Sequence, residues 1–206
     1  MPRGIKGSGK PALKGAAPQV PGPEWADDVQ LEIILKRIFP ELGWDDSAGQ
    51  TASRFLRYLK EFDGSAEPPK MTTFRHEANQ LIVASPIEFS SMCQHHLLPF
   101  LGYVHVGYVS DGLILGLSKI PRMVDWLAKR PRTQEDLTQH IVSVLKNTLK
   151  PKGVMVVMEA IHTCACARGI HKVGMYMSTS LPTGVFRDNA VTRQEFFSLI
   201  KLQGGR

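Results

Sequence analysis

The chain has 206 residues, 43% hydrophobic and 21% charged, the composition of an ordinary soluble globular protein and enough chain for one sizeable domain. Of its formal net charge of +6, four positive charges and no acid lie in residues 1–23, so only +2 belongs to residues 24–206 and the basic pI argues weakly for a nucleic-acid partner. No uncharged apolar run reaches membrane-spanning length, and the N-terminal stretch lacks the apolar region of a secretory leader.

Residues 1–23 carry five Pro and five Gly, cannot bury a core, and are expected to form a disordered basic tail ahead of a single domain over 24–206. Apolar residues at helical spacing (Val29, Ile33, Ile34, Ile38; Phe55, Leu56, Leu59) predict two N-terminal helices, Glu24 to Ile38 and Gln50 to Phe62, split by a breaker region from Pro40 to Ser47. The span 24–64 is thus a helical preface. β-Branched and aromatic residues predict strands over Gln80 to Ser90 and Phe100 to Val109, and Ser110-Asp111-Gly112 reads as a turn into Leu113 to Leu117. Two helices follow, Lys119 to Lys129 and Gln134 to Leu149, separated by Pro131; then Val154 to Ala160 and Val173 to Leu181 are strand-like. The order strand, strand, helix, helix, strand, strand implies an α+β domain with helices on one face of an antiparallel sheet.

All three cysteines and three of the seven histidines fall in two short stretches, Cys93-Gln94-His95-His96 and His162-Thr163-Cys164-Ala165-Cys166, both at predicted strand ends. Thiolate and imidazole ligands gathered from two segments suit a borderline-soft tetrahedral ion such as zinc. Buried cysteine as a small hydrophobe is the ordinary alternative, and a disulfide is disfavoured because one of three thiols must stay unpaired and Cys164 and Cys166 are poorly placed to bridge. A reducing, cytoplasmic compartment follows. Four ligands (Cys93, His96, Cys164, Cys166) would close the shell and make the metal structural, whereas three would leave a position for an activated water; the tight C-x-C spacing favours three. Ser118 and Lys119 at a strand-to-helix junction, with Arg122 one turn on, could form an anion site or simply solvate a helix.

The runs SMCQHHLLPFLGYVHVGY, GLSKIPRMVDWLAKRP, TQEDLTQHI, EAIHTCACARG, TSLPTGVF and TRQEFFSLI, in this order over about residues 50 to 200, resemble the GTP cyclohydrolase I family. The resemblance implies the tunnelling fold, with residues 80–206 as its catalytic part. It further implies a toroidal homo-oligomer, a decamer, with active sites between subunits. The implied reaction opens the guanine imidazole ring of GTP, releases formate and closes to 7,8-dihydroneopterin triphosphate. That product could enter folate, tetrahydrobiopterin or deazapurine synthesis. By the same resemblance zinc is held by Cys93, His96 and Cys164, leaving Cys166 out, and His95 and His162 are the acid-base histidines, with His162 protonating the imidazole nitrogen. Glu135 reads guanine with help from Gln134. Ser118, Lys119, Arg122 and Arg168 hold the triphosphate, with Arg54 and Arg57 as additional phosphate contacts.

Two positions depart from the family pattern: Ala52 stands where proline is usual, and Gln94 where the family writes glutamate. The second makes the metal surroundings more electropositive and leaves open an arrest at a ring-opened formamidopyrimidine. Two further readings stand beside these: a non-catalytic zinc-stapled module docking its basic tail on nucleic acid, and a different tunnelling-fold enzyme acting on a related pterin or deazapurine.

Overall fold

A computed structural model describes residues 28–44 and 49–203; the expected tail and residues 24–27 lie outside them. Helix α1 (Asp28–Glu41) runs further than its predicted end, carrying Pro40 in its last turn, and α2 (Thr51–Lys60) follows. The two pack on each other through Phe39 and Phe55, and Ser53 Oγ donates to Glu32 Oε1 at 2.8 Å. Ala52 is fully buried in the first turn of α2.

Strands β1 (Thr73–His76), β2 (Leu81–Cys93), β3 (Pro99–Val109) and β4 (Gly112–Leu115) come next, then α3 (Lys119–Ala128), β5 (Pro131–Arg132) and α4 (Gln134–Leu149). The chain closes with β6 (Gly153–His162), the one-turn α5 (Thr163–Cys166), β7 (Tyr176–Pro182), α6 (Val185–Asp188) and α7 (Ala190–Gln203). The main sheet has the order β5-β2-β3-β6-β7. Its long pairs are antiparallel, while the two residues of β5 lie parallel to the end of β2. β4 does not join this sheet but pairs with β1 in a separate ribbon.

Alternation decides which side chains meet the helices. Phe100, Val104, Val106 and Tyr108 of β3 and Val154, Val156, Met158 and Ala160 of β6 face α3 and α4, which bury Met123, Val124, Leu127, Leu137, Ile141 and Leu145 against them. Each such large side chain taken out of water contributes about 1.5–3 kcal/mol. The expectation of helices on one face needs an addition, because α6 and α7 cover one end of the opposite face through Met155, Val157, Phe186 and Phe196. That second layer explains why β6 reads as an unbroken apolar run: both of its faces are covered there. Helix α4 begins at Thr133, whose side chain accepts from Asp136 N, and ends at Lys150 in the left-handed conformation, just before Pro151.

Candidate active site

Two chain reversals at the same end of the sheet bring the cysteine and histidine stretches together. Cys93 is the last residue of β2; Leu97 N donates to Cys93 O at 2.8 Å, and Cys93 N to Leu98 O at 2.9 Å, closing a tight turn that carries His95 and His96. Leu97 sits at φ 53°, a left-handed conformation that a γ-branched residue adopts only when its surroundings hold it there. On the other side, His162 ends β6 and Cys164 lies in α5. Thr163 Oγ1 donates to Pro99 O at 2.7 Å, tying the second segment to the start of β3, one turn from the first.

The ligand atoms of Cys93, His96 and Cys164 lie within 4.8 Å of one another, the one such cluster among the described residues. Cys93 Sγ stands 3.9 Å from His96 Nδ1. Tetrahedral zinc, with bonds of about 2.3 Å to sulfur and about 2.0 Å to nitrogen, needs ligand atoms roughly 3.5–3.8 Å apart, so small side-chain adjustments close this shell. Burial pushes the Cys164 thiol above its ordinary value, the adjoining Cys93 sulfur adds to the effect, and Arg168 opposes it. A divalent cation beside the Cys164 sulfur would favour its thiolate and reverse that effect, and two sulfurs with one imidazole are a donor set that fits zinc. Cys166 is turned elsewhere, its Sγ 3.4 Å from Lys172 O. His95 Nδ1 also lies 3.9 Å from Cys93 Sγ, yet its residue is exposed and outside the three-way cluster.

His162 is held from two sides. Its ring stacks on Phe100 with centroids 4.6 Å apart and planes 4° from parallel, as the direct pairing of Phe100 with His162 across β3 and β6 requires. Its Nε2 lies 2.9 Å from Gln134 Oε1. Burial holds its pKa below the ordinary value, partly offset by the charge of Glu135 on the first turn of α4. Gln134, expected to touch substrate, is only 1% exposed and its amide nitrogen is engaged by Met158 O, Met177 O and Thr179 Oγ1. Its side chain therefore points into the sheet, while Glu135 beside it is exposed.

Ser118 occupies the N-cap position of α3 without a capping hydrogen bond, and Lys119 and Arg122 follow on the helix. Arg122 and Arg168 are exposed. Arg54 donates to Gln50 Oε1 at 3.0 Å and, with Arg57, projects from α2, which packs mainly on α1 rather than on the strands bearing the cluster. Gln94 is exposed, and its backbone N–H donates to Arg132 O at 3.3 Å. Sequence reasoning passed over Phe100, Thr163 and Thr179. Each looks like an ordinary strand or turn residue until the register puts it against a histidine, a loop or an amide.

A family model described as GTP cyclohydrolase I matches residues 32–201. A GTP cyclohydrolase 1 of Campylobacter concisus is 48% identical over 178 residues, covering 82% of this chain and 94% of its own. The Bacillus subtilis GTP cyclohydrolase 1 is 40% identical over 182 residues, covering 84% and 96%. Among solved structures, the apo archaeosine synthase QueF-Like superposes with a TM-score of 0.42 at 19% identity, over 52% of this chain and 96% of its own. With most of its length matched at this level, the chain belongs to the GTP cyclohydrolase I family, and its α+β architecture is that family's tunnelling fold.

Proposed function

We propose that this enzyme opens the imidazole ring of GTP, releases carbon 8 as formate and closes the remainder to 7,8-dihydroneopterin triphosphate, using zinc held by Cys93, His96 and Cys164. The observation that carries the reading is the convergence of that cluster with His162 and with Glu135 at the start of α4. When bound, zinc supplies a Lewis acid that activates water near neutral pH.

The protein's own groups do the rest. Glu135 is exposed at a helix start, and a carboxylate there can accept both the ring N–H and the exocyclic amine of guanine. His162, whose Nε2–H donates to Gln134 Oε1, presents Nδ1 as a lone pair, so it takes up the proton released by the attacking water and passes it to the imidazole nitrogen of the base, which leaves carbon 8 protonated as the carbon–nitrogen bond breaks. Stacking on Phe100 keeps that ring from rotating away. His95, exposed beside Cys93, is the second acid-base group. Ser118, Lys119, Arg122 and Arg168 supply donors for the triphosphate, and Arg54 and Arg57 reach it from α2 of a neighbouring subunit.

Assembly into a homo-oligomer, a toroidal decamer, is part of the same proposal. It is supported by apolar side chains that are exposed among the described residues, Ile33, Ile34, Ile38 and Phe55 on the N-terminal helices and Leu101, Tyr103 and Tyr176 on the sheet. No helix of the described residues is long and apolar enough to cross a membrane, and the free thiols suit a cytoplasmic location.

Incubating the purified protein with GTP and zinc tests the proposal. Pterin absorbance should rise together with one formate per GTP consumed. A formamidopyrimidine without formate would show that Gln94 stops the reaction after ring opening, and no change in GTP would refute the activity.

A further inference from the structure

Arg132, which the reaction described above does not use, is a cation taken out of water without a partner. The residue is 5% exposed, yet its Nε and Nη1 are buried nitrogens with no acceptor. The ion pairs among the described residues, Lys36 with Glu32, Lys60 with Asp28 and Lys129 with Glu61, leave it out. Two residues earlier, Arg130 donates from Nη2 to Gly64 O at 2.8 Å and lies over the Trp126 ring at 5.5 Å, but its Nε is also buried without a partner. The charge of Arg132 is matched no better than its hydrogen bonds. Burial and the like charge of Arg130 bring its pKa down to about 10, with Asp136 offsetting only part of this, so the guanidinium stays charged at neutral pH.

Such a group is costly unless an anion meets it, because each buried N–H has given up its water and a lone buried charge has given up far more. Arginine has no escape through loss of its proton near neutral pH. The missing partner must therefore carry negative charge and accept from several N–H groups, as an oxyanion does. Between them the two arginines leave three buried nitrogens unpaired, and a dianion with several acceptor oxygens, a phosphate, answers that better than a single carboxylate. The place is defined by the sheet. Arg132 is the partner of Cys93 in the parallel pairing of β5 with β2, and Gln94 N donates to Arg132 O at 3.3 Å, so the guanidinium belongs to the residue that flanks the turn bearing Cys93 and His96.

We propose that Arg132, backed by the positive charge of Arg130, binds a phosphate-class oxyanion at the β5 edge of the sheet, a site additional to the triphosphate donors Ser118, Lys119, Arg122 and Arg168. Free inorganic phosphate and a phosphoryl group of the nucleotide offer the same chemistry to it. Binding of the anion does not rest on the reading of the protein as a GTP-opening enzyme; only the identity of its source does.

The test is the denaturant midpoint of the zinc-loaded, full-length protein as inorganic phosphate replaces chloride at constant ionic strength, in the millimolar range where general stabilisation by phosphate is small. Wild type should gain stability along a saturating curve, as linkage to a single site requires. Arg132→Met keeps the aliphatic stem and removes the guanidinium. It should bind phosphate at least about tenfold more weakly, and in chloride alone it should be no less stable than wild type, since a buried charge is removed and no partner is left behind. A wild type without a saturable response overturns the proposal, as does an equal response in Arg132→Met. So does an Arg132→Met variant clearly less stable than wild type in chloride, because the guanidinium would then already have a protein partner. Should Arg132→Met fail to fold, Arg132→Lys, which keeps the charge and loses the planar fork, must weaken phosphate binding in the same assay. KM for GTP identifies the source: a rise of about tenfold or more in Arg132→Met puts a phosphate of GTP on Arg132, and a smaller change a free anion. Were the protein inert toward GTP, the phosphate curve would still decide the site.

Discussion

At His162 three modest contacts do what no single one could: the stack on Phe100 sets the ring plane, Gln134 sets the tautomer, and burial keeps the imidazole neutral more readily than in water. His162→Ala should therefore keep its zinc, since the ligand atoms belong to Cys93, His96 and Cys164, yet lower GTP turnover by about two to four orders of magnitude. Metal analysis beside a formate assay separates the two effects; loss of zinc would move His162 among the ligands. His105 offers a check away from the metal. Burial holds its pKa below the ordinary 6.5, with Glu159 opposing, and Ser85 Oγ lies 2.5 Å from its Nδ1. The unfolded chain takes up that proton more readily, so the stabilisation is present above about pH 6.5 and is lost as pH falls through and below that value. Wild type should accordingly lose more stability than His105→Gln between pH 7.5 and 5.5, read as the difference in denaturant midpoints; equal losses would refute the assignment. The cysteine and histidine clustering was legible from spacing alone, because metal ligands must be of a few residue types. The partners of His162 were not, because threonine and phenylalanine in strands carry no such restriction.

Among the elements, helices α1 to α4 and the long strands were readable to within a few residues, since their apolar periods of 3.6 and 2 follow directly from what they bury. Several others were not, the 14-residue α7 included. β1 and β5 owe their existence to backbone pairing with β4 and with the end of β2, and α6 and α7 to a second core that shows only once the sheet is formed. The close contact of β3 with β6 matters most for the site, because Phe100 and His162 sit at its end. A Cβ on Gly102 would come within 1.9 Å of Glu159 O, so Gly102→Ala must force the two backbones apart. It should cost about 1–3 kcal/mol or more, seen as a lowered denaturation midpoint, and reduce turnover through the displaced histidine. Thr133→Ala removes the cap of α4, which presents Gln134 and Glu135. A loss of about 1 kcal/mol is expected, and a variant as stable as wild type in the same denaturation series would show that the cap contributes nothing.

For the whole molecule, the ends of β2, β6 and α4 bring the candidate metal ligands, His162 and Glu135 together, and the homo-oligomer proposed above would complete the site from a second subunit. The exposed apolar face of α1 and α2 and the exposed Arg54 and Arg57 are what a neighbouring subunit would use. Base selection belongs to this scale as well, since the proposed function has the nucleotide lie between Glu135 and the phosphate donors. GTP should react and ATP should not, because the ring nitrogen of adenine facing Glu135 carries no proton and the carboxylate would be left unpaired; comparable ring opening of both nucleotides would contradict that role. The most direct test of an open, three-ligand zinc site compares Cys164→Ser with Cys166→Ser, measuring zinc per subunit and formate released from GTP side by side. Cys164→Ser should lose most of its zinc and its formate release, since a thiolate is replaced by a poor neutral ligand, whereas Cys166→Ser, whose sulfur meets only Lys172 O, should keep both. Equal loss of zinc from the two variants would mean that four protein groups close the shell, leaving no place for water and no cyclohydrolase chemistry of the kind described.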